Sequence, residues 1–134
     1  MIVDTSALVA ILRHEEDGYR YAQALDDSPI NRISAVSFVE AAMLIDRDGS
    51  PISSRKFDEL MLDANLVIEP VTAEQAQIAR EAWRDFGRGS GHKAQLNFGD
   101  LFTYALAKQR REPLLFKGGD FGLTDVKVAL NLSR

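Results

Sequence analysis

Short segments with the composition of β-strands alternate with longer, helix-like segments along the whole chain. The first is Ile2-Val3, and three more follow at residues 31–35, 66–71 and 113–116, each separated from the next by helical sequence. This alternation predicts βαβ units, and therefore a mostly parallel sheet with helices on both faces. In such sheets, ligands bind beyond the carboxyl ends of the strands. We therefore expect a functional site where these strands end.

The segments between the strands have the apolar spacing and the end signals of helices. A basic, glycine-rich loop is expected at residues 87–93, and a short fifth strand at residues 126–130. No repeat, low-complexity tract or long linker interrupts the pattern, so residues 1–134 are expected to form one domain. The helices are predicted at residues 7–13, 15–27, 36–46, 53–64, 72–86 and 97–110, with Ser53 or Ser54 as the cap of the fourth.

Composition excludes several kinds of site. The chain has no cysteine, which rules out disulfides, thiolate metal ligands and cysteine nucleophiles. No apolar run approaches the roughly 18 residues that a membrane-spanning helix needs. The apolar N-terminal stretch lacks a basic region and is interrupted by Asp4, so a signal peptide is not expected. We therefore expect a cytoplasmic protein with no membrane partner.

Charge is distributed unevenly in this chain, whose net charge is −4. Residues 84–117 carry seven lysines or arginines against three acids, so the rest of the chain is strongly acidic. Such asymmetry is typical of a basic surface with a polyanionic partner, but solvated helix faces also produce it. Charge alone leaves both interpretations open.

Two carboxylates stand alone in apolar helical sequence. Glu40 is the only charged residue between positions 36 and 45, and Asp100 is the only one between positions 96 and 107. A helix that is apolar nearly all round is expected to be largely buried. A carboxylate in such a helix loses its hydration and needs a hydrogen-bonding partner or a cation. Asp4 directly follows the first strand, where the sheet predicts a ligand site.

Each of these acids also has a structural explanation. Glu40 could lie at the rim of its helix and contact water or an arginine. Asp100 stands three residues after Asn97, the spacing of a helix cap and its third residue, and Asp4 could cap the helix that follows it. Taken together, however, the three carboxylates can converge. Several ionised acids in one place require a cation, and oxygen ligands without cysteine favour Mg²⁺ or Mn²⁺ over zinc.

Four motifs in this order resemble the PIN domain and, more narrowly, the VapC toxins of bacterial toxin–antitoxin pairs. They are MIVDTSALVAIL at the N-terminus and the segments at residues 34–40, 96–100 and 114–121. The resemblance implies a three-layer α/β/α sandwich around a central, mostly parallel sheet of four to five short strands. It also implies a metal-dependent endoribonuclease that uses Mg²⁺, with Mn²⁺ as a substitute. The implied partners are RNA, a cognate VapB-type antitoxin and a second copy of the chain, giving a homodimer and, with antitoxin, a heterotetramer or larger assembly.

Position by position, the resemblance makes Asp4 and Asp100 the principal metal ligands, with Glu40 completing the set directly or through water. Asp120 matches the aspartate of the family's Asp-Phe pair and is expected to be the fourth catalytic acid, ahead of Asp125. Gly118 occupies a position that is often acidic in relatives, which leaves the number of metal ions open.

Other side chains are expected to support this chemistry. Ser6 and Thr5 are placed to hydrogen-bond the carboxylates and fix their orientation. Lys117, Arg88 and Lys93 are candidate contacts for RNA phosphates, although basic residues on loops are often only solvated.

Three other functions compete with this prediction. A catalytically weak or inactive PIN-like nucleic-acid-binding module and a PIN nuclease acting on DNA or in RNA processing remain open. A receiver-like signalling domain fits poorly, because it needs paired acids after the first strand and this chain has Asp4-Thr5.

Overall fold

A four-stranded parallel sheet lies at the centre of the computed structural model, which describes residues 1–130. Its strands are β1 (Ile2–Val3), β2 (Asn31–Ser34), β3 (Leu66–Glu69) and β4 (Leu114–Leu115), in the order β3-β2-β1-β4. The helices are α1 (Thr5–Leu12), α2 (Gly18–Asp27), α3 (Ala35–Asp46), α4 (Pro51–Asp63), α5 (Ala73–Phe86) and α6 (Phe98–Arg110). The predicted α/β fold with a parallel sheet of short strands is confirmed.

The two faces of the sheet bury separate hydrophobic clusters, because successive strand residues point to opposite sides. Ile2 pairs with Leu114, and both pack against α5 and α6. Val3 pairs with Leu115, and both pack against helices α1 to α4. All four side chains have no exposed surface, and full burial of such a side chain stabilises a fold by about 1.5–3 kcal/mol. The result is three layers, with helices on both faces of the sheet.

Polar residues at the strand ends begin the helices. Asp4 caps α1 and Ser34 caps α3, each accepting a hydrogen bond from the backbone two residues later. Thr72 caps α5 in the same way, through the N–H three residues on. These side chains satisfy backbone N–H groups that have no partner within the helix. Each of these three helices therefore starts where the preceding strand or loop places the capping residue.

Two predictions about where helices begin were wrong. Helix α4 is capped by Ser50 rather than by Ser53 or Ser54, because Pro51 is suited to a first turn, where its missing N–H costs nothing. Helix α2 begins at Gly18 rather than at residue 15. Here the chain passes so close to α1 that a Cβ on Gly18 would lie 2.6 Å from the Ala10 carbonyl oxygen.

The predicted fifth strand at residues 126–130 is reduced to a single bridge. Val128 pairs with Leu114, with hydrogen bonds from the Leu114 N–H to Lys127 and from the Ala129 N–H back to Leu114. The sheet within residues 1–130 therefore has four strands. None of the helices described in this range is long and apolar enough to cross a membrane.

Candidate active site

Four carboxylates from separate elements lie near one another beside the carboxyl ends of β1 and β4. Asp4 follows β1, Asp120 lies in the turn after β4, Glu40 is on α3, and Asp100 is in the first turn of α6. The negative charges of Asp4, Asp120 and Glu40 all act on Asp100. We call these four residues the acidic cluster.

Asp4 is the most buried of the four, with only 5% of its surface exposed. One carboxylate oxygen, Oδ2, accepts hydrogen bonds from the Ser6 backbone N–H at 3.0 Å and from the Ser6 hydroxyl at 2.7 Å. The other, Oδ1, accepts from the Thr103 hydroxyl at 2.8 Å. Three donors therefore hold the orientation of this carboxylate.

Asp100 takes part in the capping box at the start of α6 and also belongs to the acidic cluster. Its carboxylate accepts the Asn97 N–H at 3.0 Å, and its own N–H donates to the Asn97 side chain at 2.9 Å, which closes a capping box. Burial raises the pKa of Asp100 to about 6, helped by the charges of Asp4, Asp120 and Glu40 and opposed by the Asn97 hydrogen bond. The capping explanation from the sequence is thus correct, but it does not exclude participation in a site.

Glu40 lies at the edge of a groove between α3 and the start of α6. Its side chain is half-buried, whereas Val39 and Met43 beside it are 53% and 66% exposed. The expectation that this helix is largely buried, because it is apolar nearly all round, was therefore wrong. A Cβ on Gly99 would lie 2.5 Å from Oε2 of Glu40, so glycine at position 99 lets α6 approach the Glu40 carboxylate closely.

Asp120 and Asp125 have different surroundings. Asp120 is exposed at the start of a 3-10 turn, and its charge is felt at Asp100. Asp125 accepts hydrogen bonds from the Tyr104 hydroxyl at 2.6 Å and from the Lys108 ammonium at 2.9 Å. Burial tends to raise the pKa of Asp125, but these two donors outweigh it and hold the pKa below its usual value. Asp125 is therefore already neutralised by its own partners.

The chemistry of the acidic cluster fits a hard divalent cation. All of its donor atoms are carboxylate oxygens, the ligands that Mg²⁺ and Mn²⁺ prefer. Burial is the main cause of the raised pKa of Asp100, and the charges of the other three acids raise it further. Within residues 1–130, however, no three His, Asp or Glu side chains are already arranged as a metal-binding group. The cluster has suitable donors, and one or more of the carboxylates around Asp4 would have to reorient for three of them to share one ion.

Lys117 contacts this site through its backbone N–H, whereas its side-chain ammonium group binds acids outside the acidic cluster. Its N–H donates to the Ser6 hydroxyl at 2.9 Å, which links the turn after β4 to Asp4. Its ammonium group is ion-paired with Glu15 and, at 2.9 Å, with Asp17. The hydrogen bonds to Glu15 and Asp17 raise the pKa of Lys117. We call these three side chains the Lys117 clamp.

The other predicted supporting residues lie in two different places. The Thr5 hydroxyl donates to the Ser37 carbonyl oxygen at 3.0 Å, so it joins α1 to α3 and does not bind a carboxylate. Arg88 and Lys93 are exposed in the loop before α6. That loop is closed at its base, where the Arg88 N–H donates to the Leu96 carbonyl oxygen at 3.0 Å.

Two further residues of the site, Thr103 and Ser37, were not predicted from the sequence. Both are buried, and the Thr103 hydroxyl lies 2.7 Å from that of Ser37 as well as donating to Asp4. Their positions carried a usable signal, because Ser37 precedes Glu40 by three residues and Thr103 follows Asp100 by three. In a helix such residues lie on the same face.

Comparisons with known proteins identify the family to which this fold belongs. The model of the PIN domain family matches residues 1–127. Ribonuclease VapC28 of Mycobacterium tuberculosis is 56% identical over 131 residues, covering 98% of each chain. Ribonuclease VapC42 of the same species is 48% identical over 129 residues, covering 96% of this chain and 98% of the relative.

Two solved structures share the fold at much lower sequence identity. VapC20 of M. tuberculosis, described as a toxin that cleaves the sarcin-ricin loop, matches with a TM-score of 0.72 and 19% identity, covering 93% of this chain and 95% of the other. VapBC2 of Rickettsia felis, solved on a promoter DNA fragment, matches with a TM-score of 0.71 and 15% identity, covering 95% and 94%.

Proposed function

The chain belongs to the PIN domain family and, within it, to the VapC toxin ribonucleases, and from this premise we propose that the acidic cluster hydrolyses phosphodiester bonds in RNA with a divalent cation. The observation that carries the proposal is the convergence of four carboxylates from four elements, in which the pKa of Asp100 is raised by burial and by its acidic neighbours. A cluster of this kind gains most from a bound cation.

We assign Asp4 and Asp100 to holding the ion, because each is fixed by hydrogen bonds and partly or fully buried. Mg²⁺, or Mn²⁺ in its place, supplies polarisation of phosphate oxygens and activation of water when bound. Glu40, at the edge of the groove, is assigned to orienting water, with or without direct contact to the ion. The exposed Asp120 tunes the charge of the cluster or takes part in a second ion site.

RNA must approach this acidic surface with help from positive charge. We assign phosphate contacts to Arg88 and Lys93, which are exposed in the loop that leads into α6. Lys117 can act in the same way only if RNA displaces Glu15 and Asp17 from its ammonium group. Its constant contribution is the backbone hydrogen bond to Ser6.

A VapB-type antitoxin is the proposed protein partner, since solved relatives of this fold include toxin–antitoxin complexes. The groove beside Glu40 presents exposed Val39, Met43 and Phe98, and exposed apolar patches of this kind mark protein interfaces. By the same family resemblance we propose a homodimer that forms a heterotetramer or larger assembly with antitoxin. An RNA-cleaving toxin with no cysteine fits the cytoplasm.

The test is cleavage by the purified protein, freed of antitoxin, on RNA and DNA of matched sequence. We expect RNA cleavage with Mg²⁺ or Mn²⁺, and its loss with chelator or in Asp4→Asn. Asp58→Asn removes an exposed acid on α4 and serves as the matched control, which should cleave normally. Cleavage that survives both chelation and Asp4→Asn would overturn the proposal, and cleavage of DNA alone would reassign the substrate.

A further inference from the structure

A pair of buried hydroxyls links the acidic cluster to the interior of the protein. We propose that Thr103 and Ser37 are positioning residues, which hold the Asp4 carboxylate in the orientation that binds the divalent cation. This inference rests on the proposed metal-dependent function. It concerns two uncharged residues to which the family resemblance assigned no role.

The hydrogens of the pair can be assigned from its surroundings. Thr103 Oγ1 lies 2.8 Å from Oδ1 of Asp4 and 2.7 Å from Oγ of Ser37. An ionised carboxylate only accepts, and a hydroxyl has a single hydrogen to donate. Thr103 therefore donates to Asp4, and Ser37 must be the donor to Thr103. The order Ser37 to Thr103 to Asp4 is thus fixed while Asp4 is ionised.

The pair is shielded from water and anchored at its far end. Ser37 has no exposed surface and Thr103 has 1%, so water does not compete for these hydrogen bonds. The Ser37 carbonyl oxygen accepts the Thr5 hydroxyl at 3.0 Å, and Thr5 is the residue next to Asp4. The Asp4 side chain and the backbone beside it are therefore both tied to the same residue of α3.

This arrangement leaves one position of the carboxylate for a ligand. A carboxylate offers about four lone pairs. Ser6 uses Oδ2 twice, through its N–H and its hydroxyl, and Thr103 uses Oδ1 once. One lone pair on Oδ1 remains, and Thr103 determines its direction. Partners that orient a metal ligand in this way typically contribute about 10- to 100-fold to metal affinity.

The test measures Mn²⁺ binding to the whole protein by calorimetry, with unfolding of the metal-free protein followed in parallel. Thr103→Val keeps the shape of the side chain and removes the hydroxyl, and we expect Mn²⁺ to bind about 10- to 100-fold more weakly. Thr103→Ser keeps the hydroxyl and should bind within a few-fold of the unchanged protein. Mn²⁺ binding by Thr103→Val as tight as that of the unchanged protein would overturn the inference.

Ser37→Ala tests the far end of the pair and replaces Thr103→Val if that variant does not fold. It keeps the bond from Thr103 to Asp4 but removes the donor behind it, so a smaller loss of Mn²⁺ affinity is expected. Unchanged affinity in a folded Ser37→Ala would contradict the role of Ser37. Asp4→Asn separates this inference from the proposed function, because Mn²⁺ binding that survives that substitution contradicts the metal site itself.

Discussion

Two groups of carboxylates lie near the turn that follows β4, and their surroundings shift the pKa values of their members in opposite directions. In the Lys117 clamp, the hydrogen bond from Lys117 holds the pKa of Asp17 below its ordinary value. In the acidic cluster, burial and neighbouring acids raise the pKa of Asp100 to about 6. The charge of a carboxylate that is paired with a lysine is already compensated. The ionised form of a carboxylate surrounded by other acids, in contrast, is stabilised by binding a cation. The comparison thus separates acids that are paired within the fold from the acids that we propose bind a cation.

The largest expected difference between the two groups is in catalysis. Asp100→Asn removes a cluster charge but keeps a side-chain oxygen that can accept the Asn97 N–H. We expect RNA cleavage to fall more than about 100-fold, equivalent to roughly 2.7 kcal/mol of activation free energy, with thermal stability of the metal-free protein maintained. Asp17→Asn is the matched control and should keep most of the activity. Equal losses of activity in the two variants would contradict the distinction between the acidic cluster and the Lys117 clamp.

A smaller effect is expected from Gly99→Ala, which leaves every charge in place. The new methyl group would lie 2.5 Å from Oε2 of Glu40, so the flexible glutamate has to move. Displacing a catalytic group by about 1 Å can cost up to 100-fold in rate, and we expect roughly a tenfold loss of kcat. Stability should not fall, since alanine is a better helix residue than glycine.

A double variant checks the cause of that loss. If Gly99→Ala acts through Glu40, combining it with Glu40→Gln should reduce cleavage no further than Glu40→Gln alone, because coupled sites are not additive. Full additivity of the two losses would show that the alanine disturbs another part of the site.

The two groups should also respond to pH with opposite sign. The folded-state pKa of Asp100 lies above its ordinary value of 3.8, so its contribution lowers the stability of the metal-free protein as pH rises from about 4 to about 6. The pKa of Asp17 is lowered, so its contribution is present above the ordinary pKa and is lost as pH falls through the folded value.

Thermal unfolding from well below pH 3.8 up to about pH 6, with chelator present, checks both signs. The melting temperature of Asp100→Asn relative to the unchanged protein should rise between about pH 4 and about pH 6. That of Asp17→Asn should fall as the pH rises through the lowered pKa of Asp17 toward its ordinary value of 3.8. Mg²⁺ should reduce the first difference, because the ion stabilises the ionised form of Asp100. A pH-independent difference for Asp100→Asn would contradict the raised pKa.

The sequence predicted those parts of the site that depend on local pattern. Alternating strands and helices placed Asp4 at a strand end, and the spacing of Asn97 and Asp100 indicated the capping box that the structure contains. Contacts between segments that are far apart in the sequence could not be predicted from local pattern. Lys117 is separated from Glu15 by 102 residues and from Asp17 by 100, and no local periodicity encodes such a pairing.

Burial was also misjudged where an apolar helix is partly exposed. The composition of α3 indicated a helix surrounded by core, yet Val39 and Met43 are open to solvent. Hydrophobic composition does not distinguish a core face from a surface that binds a partner. The buried hydroxyls of Ser37 and Thr103 were not predicted either, because their helical spacing from Glu40 and Asp100 indicates a shared face but not which atoms the hydroxyls contact.

The smallest expected effect concerns the charge of Lys117. Its side chain is about one-third exposed and is already paired with two carboxylates, and ion pairs at the surface contribute little to stability because water and salt screen them. Lys117→Gln should therefore lower the free energy of unfolding only slightly and leave the Michaelis constant for RNA within about twofold. Arg88→Gln, by contrast, should weaken RNA binding and reduce its salt dependence by about 0.7 in the logarithmic slope, the amount for one phosphate contact on a single strand. Binding and cleavage assays over a series of salt concentrations measure both variants. If Lys117→Gln reduces the slope as Arg88→Gln does, then RNA draws Lys117 away from Glu15 and Asp17, and the clamp is part of the substrate-binding surface rather than a closed structural unit.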